Sequence, residues 1–265
     1  AVKIATVYRD DADEQANRRS AGVISTDRHS QVTPEELARK WNIGLETAKD
    51  TMKVTTQQGI RHAVHPMNRR LRVDHMHLHR PRLRGTWYCD TLIAKVRSLD
   101  GNKCANVFTQ GKFTKVVPMT ARSDAGKSLI EFTDDVGIPE MLITDGATEF
   151  TGRHTEFVKQ ARHMRIKLHT TESGRKNQNH AAEREIGVLS QRWRLRMEKK
   201  GVPKVLWDFG LIYESELLTR MARGIDRRTG YEEITGQTPD ISEWLDFEFY
   251  KTGLVIGYPR EAQHH

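Results

Sequence analysis

The pattern of apolar and polar positions from residue 85 onward predicts three consecutive strands. The segments GTWYCDTLIAKV, KCANVFTQ and KFTKVVPM are rich in the β-branched and aromatic residues that are typical of strands. Tight turns are expected between them at Asp100-Gly101 and at Gly111. We therefore expect an antiparallel meander.

Helices and strands alternate after this meander. SDAGKSLIEFTDDVG predicts a helix that is capped by Ser123 and ended by Gly137. PEMLITDG and IKLHTT predict strands on either side of a helix in HTEFVKQARHMR, and two further helices follow in NHAAEREIGVLSQRWRLRMEKK and LWDFGLIYESELLTRMAR. Because crossover helices join parallel strands, the order predicts an α/β protein whose mixed five-stranded sheet is flanked by helices on both faces.

A small all-α unit is predicted upstream, at residues 31–60. Thr33 is a suitable N-cap, Pro34 occupies the first helical position and Glu36 completes the capping pattern. The sequence NIG ends this helix, and a second short helix follows. Two short helices around a Gly-containing turn resemble a helix-turn-helix, and a helical hairpin that packs on a neighbour has the same pattern.

Composition divides the chain into five segments. Residues 1–30 are charged and lack periodicity, so they predict a flexible arm. The helix-turn-helix-like domain at 31–60 is followed by a basic linker at 61–84, the α/β core at 85–225 and a C-terminal extension at 226–265. The chain has no starting Met, and charge stands where a signal peptide would be apolar. We therefore expect a segment of a longer polypeptide or a processed product.

Charge and hydropathy narrow the choice of partners. Of 265 residues, 43 are Lys or Arg and 35 are Asp or Glu, which gives a net charge of +8 and a pI near 9.5. The mean hydropathy is -0.68, and no apolar run is long enough to predict a membrane span. Residues 61–84 hold seven Arg and five His with one acid, Asp74. This clustering favours nucleic acid as the partner over a merely basic surface.

The cysteines and histidines do not predict a zinc site. Cys89 and Cys104 are the two cysteines, no CxxC occurs, and low cysteine use fits a reducing compartment. His75, His77 and His79 would share one face of an extended strand, where three imidazoles can bind zinc. A solvated or phosphate-facing edge is the commoner role of such a run, so we do not expect zinc.

Two carboxylates are expected to meet at one edge of the sheet. Asp90 lies in the middle of an apolar, central strand, where an acid is costly unless it has a role or a buried Arg as its partner. Asp145 ends the fourth strand in LITDGATEF. If the fourth strand runs parallel beside the first, these two acids are neighbours.

The long helix offers a third carboxylate. Leu189 and Trp193 belong to the predicted buried stripe of this helix, and Glu183 and Glu185 lie on its opposite shoulders. Small residues such as Gly187 flank Glu183 and leave room for a substrate backbone. Glu183 is therefore the predicted third acid and Glu185 the alternative, although a single glutamate is ordinarily solvated.

Three converging carboxylates suit Mg²⁺, which prefers oxygen ligands. Two ions about 3.5 to 4 Å apart would bridge the attacking and leaving oxygens of a phosphoryl transfer. Asp90, Asp145 and Glu183 are therefore the predicted metal ligands and catalytic residues, with Mn²⁺ as the expected substitute for Mg²⁺.

The sequence around these acids resembles a known family. YCDTL at Asp90, ITDGATEF at Asp145 and QNHAAERE at Glu183 are similar to the DDE triad of retroelement integrases and DDE transposases. The acids are separated by 54 and 37 residues, the second spacing being close to the family's. TDGATEF resembles the family's S/T-D-N-G-x-E-F/Y. NHAAER resembles the N-G-V-x-E-R of the copia-type (Pseudoviridae-like) branch, and TGQTPDISEWLDFEFY resembles a segment that follows the core in copia-type polyproteins.

This resemblance covers residues 85–225 and implies an LTR retrotransposon integrase core with a ribonuclease-H-like fold. It implies an Mg²⁺-dependent polynucleotidyl transferase that trims the 3′ ends of element DNA and joins them to target DNA. The implied partners are double-stranded DNA, at element ends and target, and further copies of the chain in a homo-multimer. The implied place of action is the nucleus, after a cytoplasmic particle stage.

The resemblance also implies where DNA is bound. The family touches DNA ends in the loop before the long helix, and phosphates are expected to meet arginines on that helix and in the basic linker. The residues concerned are Lys176, Asn177, Asn179, Arg184, Arg194, Arg69, Arg70 and Arg72.

The chain departs from the family pattern at two places. The family's upstream zinc domain uses paired His and paired Cys, whereas His62 and His65 are followed here by no CxxC. The helical unit at 31–60 is expected to replace that domain without metal. Gly146 stands where the family has Asn after the second acid, but that Asn is not a ligand in the pattern.

Other functions are compatible with the same residues. A ribonuclease-H-type nuclease or a cut-and-paste transposase would use the same core, and a nuclease would cut DNA without joining strands. A decayed core with an upstream DNA-binding unit would bind DNA without any metal-dependent reaction. Strand transfer in the presence of metal separates these alternatives.

Overall fold

The computed structural model describes residues 32–57, 80–171, 180–246 and 249–250. In chain order the elements are α1 (Pro34–Trp41), α2 (Leu45–Lys53), β1 (Arg82–Ile93), β2 (Cys104–Gln110), β3 (Phe113–Met119), α3 (Ala125–Asp135), β4 (Ile138–Thr144), α4 (Thr148–Thr151), α5 (Glu156–His163), β5 (Lys167–Thr170), α6 (His180–Lys200), α7 (Trp207–Arg220), β6 (Ala222–Arg223), β7 (Arg228–Thr229), α8 (Gly230–Thr235) and α9 (Ser242–Asp246). No helix among these residues has the length and apolar character needed to cross a membrane.

Five strands form one mixed sheet in the order β3-β2-β1-β4-β5. β1, β2 and β3 are joined by antiparallel pairing, whereas β4 runs parallel to β1 and β5 runs parallel to β4. Helices cover both faces of this sheet, so the α/β prediction with a ribonuclease-H-like mixed sheet is confirmed.

Two apolar clusters sandwich the sheet. Alternate residues of β1 and β2 enter the first cluster, where Trp87 and Phe108 both pack against Phe132 of α3, with ring centroids 5.0 and 4.3 Å apart. The opposite face contributes Val107 to the second cluster, with Leu189 of α6. Because adjacent residues of a strand point to opposite faces, Asp90 faces the side of α6 and α7.

The two upstream helices pack on the second cluster. Thr33 caps α1 by accepting a 3.2 Å hydrogen bond from the N–H of Glu36, as predicted. Asn42 ends α1 in the left-handed conformation. Trp41 is fully buried in the second cluster, and its indole N–H donates to the carbonyl of Trp244 in α9 at 3.3 Å. The hairpin therefore has a packing role on its neighbours.

Some local predictions were wrong. Ser123 does not cap α3, which begins after a 3₁₀ turn at Arg122–Asp124. The carboxylate of Asp124 accepts a 3.2 Å hydrogen bond from the N–H of Ala121 instead, and a carboxylate is a stronger acceptor than a hydroxyl. β1 begins at Arg82 rather than at residue 85. The last predicted helix ends at Arg220, because the chain then extends into β6.

Gly210 of α7 is required by a close helix contact. A Cβ there would overlap the indole ring of Trp193 on α6, whereas a Cβ at Gly187 of α6 would meet nothing within 4 Å.

We expect Gly210→Ala to destabilise the fold and Gly187→Ala to stabilise it. Alanine is favoured over glycine in a helix by about 1 kcal/mol, but overpacking typically costs about 1 to 3 kcal/mol. Urea denaturation should therefore give a lower midpoint for Gly210→Ala and a midpoint at or above that of the parent for Gly187→Ala. Equal midpoints for the two variants would contradict the contact.

Candidate active site

The sheet brings Asp90 and Asp145 to one edge, as predicted. In the parallel pair of β1 and β4, Cys89 is the partner of Thr144. Asp90, inside β1, and Asp145, directly after β4, each follow these partners by one residue, so they lie side by side. The neighbouring positions follow from the parallel register, which places the carboxyl ends of both strands at the same edge.

The carboxyl group of Asp90 is partly buried and electrostatically strained. Burial raises its pKa, a 2.7 Å hydrogen bond from the N–H of Thr91 lowers it, and the charges of Asp145 and Glu183 raise it further. Both other acids of the predicted triad therefore lie within electrostatic reach of Asp90, which is the expected surrounding of a cation site.

A local turn positions Asp145. Its carboxylate accepts a 3.3 Å hydrogen bond from the N–H of Ala147, and α4 begins one residue later. Phe150 anchors this helix against Phe157 of α5, with ring centroids 4.8 Å apart. A Cβ at Gly146 would make an ordinary 3.9 Å contact with the carbonyl of Thr171. A larger residue would therefore fit at position 146, so the glycine that replaces the family's Asn is not required for steric reasons.

The structure distinguishes the two candidate glutamates of α6. Glu183 is exposed in the first turn, where the positive end of the helix dipole favours an acid, and its charge reaches Asp90. Glu185 accepts a 3.0 Å ion-paired hydrogen bond from Arg223. Glu183 is favoured as the third acid because its charge reaches Asp90, whereas Glu185 pairs with Arg223 in the chain that follows α7.

The three carboxylates share a region without closing on one point. No three His, Cys, Asp or Glu side chains within the described ranges converge closely enough to hold a metal ion. The donor set still fits Mg²⁺ in its chemistry, since all three are oxygen ligands whose mutual repulsion a cation would relieve. Glu183 is the exposed member of the three.

Glu149 is a fourth acid at this edge, which the sequence patterns did not single out. Burial raises the pKa of the Cys89 thiol, and Asp90, Asp145 and Glu149 raise it further. The side chain of Glu149 is only 7% exposed, and its carboxylate lies 3.9 Å from the guanidinium of Arg122. Its place in TDGATEF is the signal that would have found it.

Of the residues predicted to contact DNA, the structure describes only those on α6. Arg184 and Arg194 are exposed on α6 and available to a partner. Arg192 and Arg196 of the same helix instead pair with the buried Glu214. The remaining predicted contacts lie outside the described residues, as does the histidine run: Lys176, Asn177, Asn179, Arg69, Arg70, Arg72, His75, His77 and His79.

The second helix of the upstream hairpin offers little free positive charge. Lys49 lies 3.0 Å from Glu46, and Lys53 lies 3.2 Å from Asp50, whose other oxygen accepts from Arg227 at 2.7 Å. DNA contact by this hairpin remains a prediction. The alternative, a helical hairpin that packs on neighbouring elements, is supported by the contacts described for the fold above.

Solved structures with a similar chain path come from retroviral proteins. A simian T-cell lymphotropic virus intasome, in complex with a PP2A regulatory subunit, matches with a TM-score of 0.48 and 16% identity over 58% of this chain and 58% of that chain. The protein thus spans less than two thirds of that relative. The catalytic core domain of BIV integrase matches with a TM-score of 0.46 and 15% identity over 57% of this chain and 93% of its own. The HTLV-2 integrase catalytic core domain in complex with magnesium (dimeric form) matches with a TM-score of 0.45 and 16% identity over 58% of this chain and 97% of its own.

No protein-family model and no curated protein matches the chain. Since such likenesses concern chain path, function has to be argued from the site.

Proposed function

We propose that this chain is a copia-type retrotransposon integrase, an Mg²⁺-dependent polynucleotidyl transferase that trims the 3′ ends of element DNA and joins them to target DNA. The observation that carries the proposal is that three acids from separate elements lie within electrostatic reach: Asp90 is beside Asp145 in the register of β1 and β4, and the charge of Glu183 reaches it. The charges of Asp145 and Glu183 both raise the pKa of Asp90. The motifs YCDTL, TDGATEF and NHAAER support the same assignment.

Each acid would contribute differently to the site. Asp90 is the fixed ligand, because the N–H of Thr91 holds one of its oxygens. Asp145 is oriented by the N–H of Ala147 in the turn after β4. Glu183 would complete the set by turning toward Asp90 from the first turn of α6. When bound, two Mg²⁺ ions would supply the activation of water for trimming and of the 3′-hydroxyl for joining.

The partners follow from this activity. Double-stranded DNA, as element ends and as target, would meet Arg184 and Arg194 on the exposed face of α6. Binding both DNA substrates at once favours a homo-multimer, and the proposed place of action is the nucleus, after a cytoplasmic particle stage.

Glu183→Gln should abolish strand joining, whereas Glu185→Gln should retain it within a few-fold. Loss of groups that only support metal ligands typically costs about 10- to 100-fold, so loss of a ligand should cost about 100-fold or more. The measurement is strand transfer of element-end DNA into a target duplex in Mg²⁺. Glu185→Gln is the matched control, since it lies on the same helix and pairs with Arg223.

The outcomes separate the alternatives. If strand joining survives Glu183→Gln but is lost in Glu185→Gln, Glu185 is the third acid and Glu183 is not. Cleavage without joining by the parent would indicate a nuclease. Metal-independent DNA binding without any reaction would indicate a decayed core that only binds.

A further inference from the structure

The connection between β1 and β2 carries an exposed surface that the proposed chemistry does not use. We call it the hairpin-tip patch and define it as Ile93, Lys95, Val96, Arg97, Leu99, Lys103, Lys204 and Val205. All eight are exposed, Leu99 by 70% and Ile93 by 58% of its surface. Contiguous exposed apolar surface marks interaction sites, whereas singly scattered apolar side chains are ordinary.

This patch is rigid rather than a loose loop. The N–H of Ala94 donates to the carbonyl of Lys103 at 2.9 Å, and the buried Ser98 bonds to Asn102. Leu99 donates its N–H to the carbonyl of Val205 at 2.8 Å, which ties the hairpin to the segment before α7. A preorganised surface loses little conformational entropy when it binds a partner.

The charge of the patch is positive and uncompensated. Lys95, Arg97, Lys103 and Lys204 form no ion pair with any carboxylate in the described part of the chain, and Asp100 is the single acid of the connection. Lys115 elsewhere in the sheet, by contrast, lies 2.7 Å from Asp135. Four unpaired cations beside one acid fit a polyanion.

The patch lies on the edge of the sheet that carries the active site. Lys95 follows Asp90 by five residues, so the chain allows at most about 18 Å between their backbones. Lys103 lies beside Ala94 through the hairpin bond and is therefore at a similar distance. Duplex DNA carries one negative charge per about 1.7 Å of its axis, so a duplex with one phosphodiester at Asp90 presents roughly ten charges over this span.

We propose that the hairpin-tip patch is a second DNA-contacting surface, which holds the phosphates of a duplex whose reacting phosphodiester lies at Asp90, while Val96 and Leu99 contact the sugars. This inference rests on the proposed function, because it takes the reacting phosphodiester to lie at the carboxylates. It assigns the patch a positioning role, with no part in the chemical step.

The triple variant Lys95→Ala/Arg97→Ala/Lys204→Ala tests the proposal. We expect the slope of log affinity against log salt for a fluorescent duplex to fall by roughly 2 to 3, since each phosphate contact contributes about 0.9. The affinity at about 100 mM salt should fall tenfold or more. The control is Lys159→Ala/Arg162→Ala/Lys167→Ala, which removes the same charge from exposed positions on α5 and at the start of β5.

The results distinguish the patch from the activity. Equal salt slopes for the triple variant and the control would contradict the proposal that the patch binds DNA. An acidic protein would then be the remaining candidate partner of the patch. A lower slope confined to the triple variant would support the patch. If the slope is lower in the triple variant but the parent joins no strands, the proposed activity is wrong. The proposal that the patch binds DNA would still be supported.

Discussion

Replacing Asp90 with asparagine should abolish strand joining and make the metal-free protein more resistant to heat. The activity should fall about 100- to 1,000-fold, the usual cost of removing one preorganised electrostatic group from a site. The stability gain has a separate cause. An ionised Asp90 is partly buried and repelled by Asp145 and Glu183, and asparagine removes that charge at nearly constant shape.

The raised pKa of Asp90 fixes the sign of the pH dependence. Between its ordinary pKa and the raised one, the folded protein binds more protons at this site than the unfolded chain does. This site therefore favours the fold at low pH, and its contribution is lost as the pH rises through the raised pKa. Asp90→Asn should lack that decline. Activity should show the opposite trend, because only the ionised carboxylate binds a cation.

Thermal unfolding with and without Mg²⁺ measures the stability effect. A protein of this size gains roughly 2 to 4 °C in Tm for each kcal/mol, so the metal-free variant should melt a few degrees higher than the parent. Mg²⁺ should raise the Tm of the parent but not of Asp90→Asn. Glu140→Gln is the control, since Glu140 pairs with Lys167 on the surface. A variant that melts lower than the parent without metal would contradict the strained carboxylate.

Replacing Glu214 with glutamine should destabilise the protein by about 3 to 5 kcal/mol, because it leaves the buried Arg196 and the part-buried Arg192 without a counter-charge. Glu214 is 1% exposed and lies between Arg192, at 3.0 Å, and Arg196. The same two arginines donate to backbone carbonyls at the end of α1, Arg192 to Trp41 at 2.8 Å and Arg196 to Lys40 at 3.3 Å. The network therefore links α7, α6 and the upstream hairpin.

Urea denaturation should show this loss as a lower midpoint, with a first transition in which the hairpin separates from the core. Glu232→Gln is the matched control, because Glu232 forms an exposed pair with Arg228 at 3.1 Å and such pairs contribute about 0 to 1 kcal/mol. A Glu214→Gln variant as stable as Glu232→Gln would show that the buried network contributes no net stability.

The sequence by itself determined the elements whose signals are local. Thr33 caps α1 because its hydroxyl needs only the N–H of Glu36, three residues away. Leu189 and Trp193 are both buried, as expected from the helical periodicity that places them on one stripe. The order of strands and helices predicted the mixed sheet, in which Asp90 and Asp145 were expected to be neighbours.

The tertiary structure decided what depends on residues far apart in the chain. Glu185 is engaged because Arg223, 38 residues away, reaches it, and nothing near Glu185 in the sequence predicts that pair. Arg192 and Arg196 are structural, while Arg184 and Arg194 remain exposed, because only the first two face Glu214 of α7. A residue type and its helical position state what a side chain can bind. Which partner it meets depends on how distant elements pack, since the cost of burying a charge is offset only by a counter-charge that the fold brings to it.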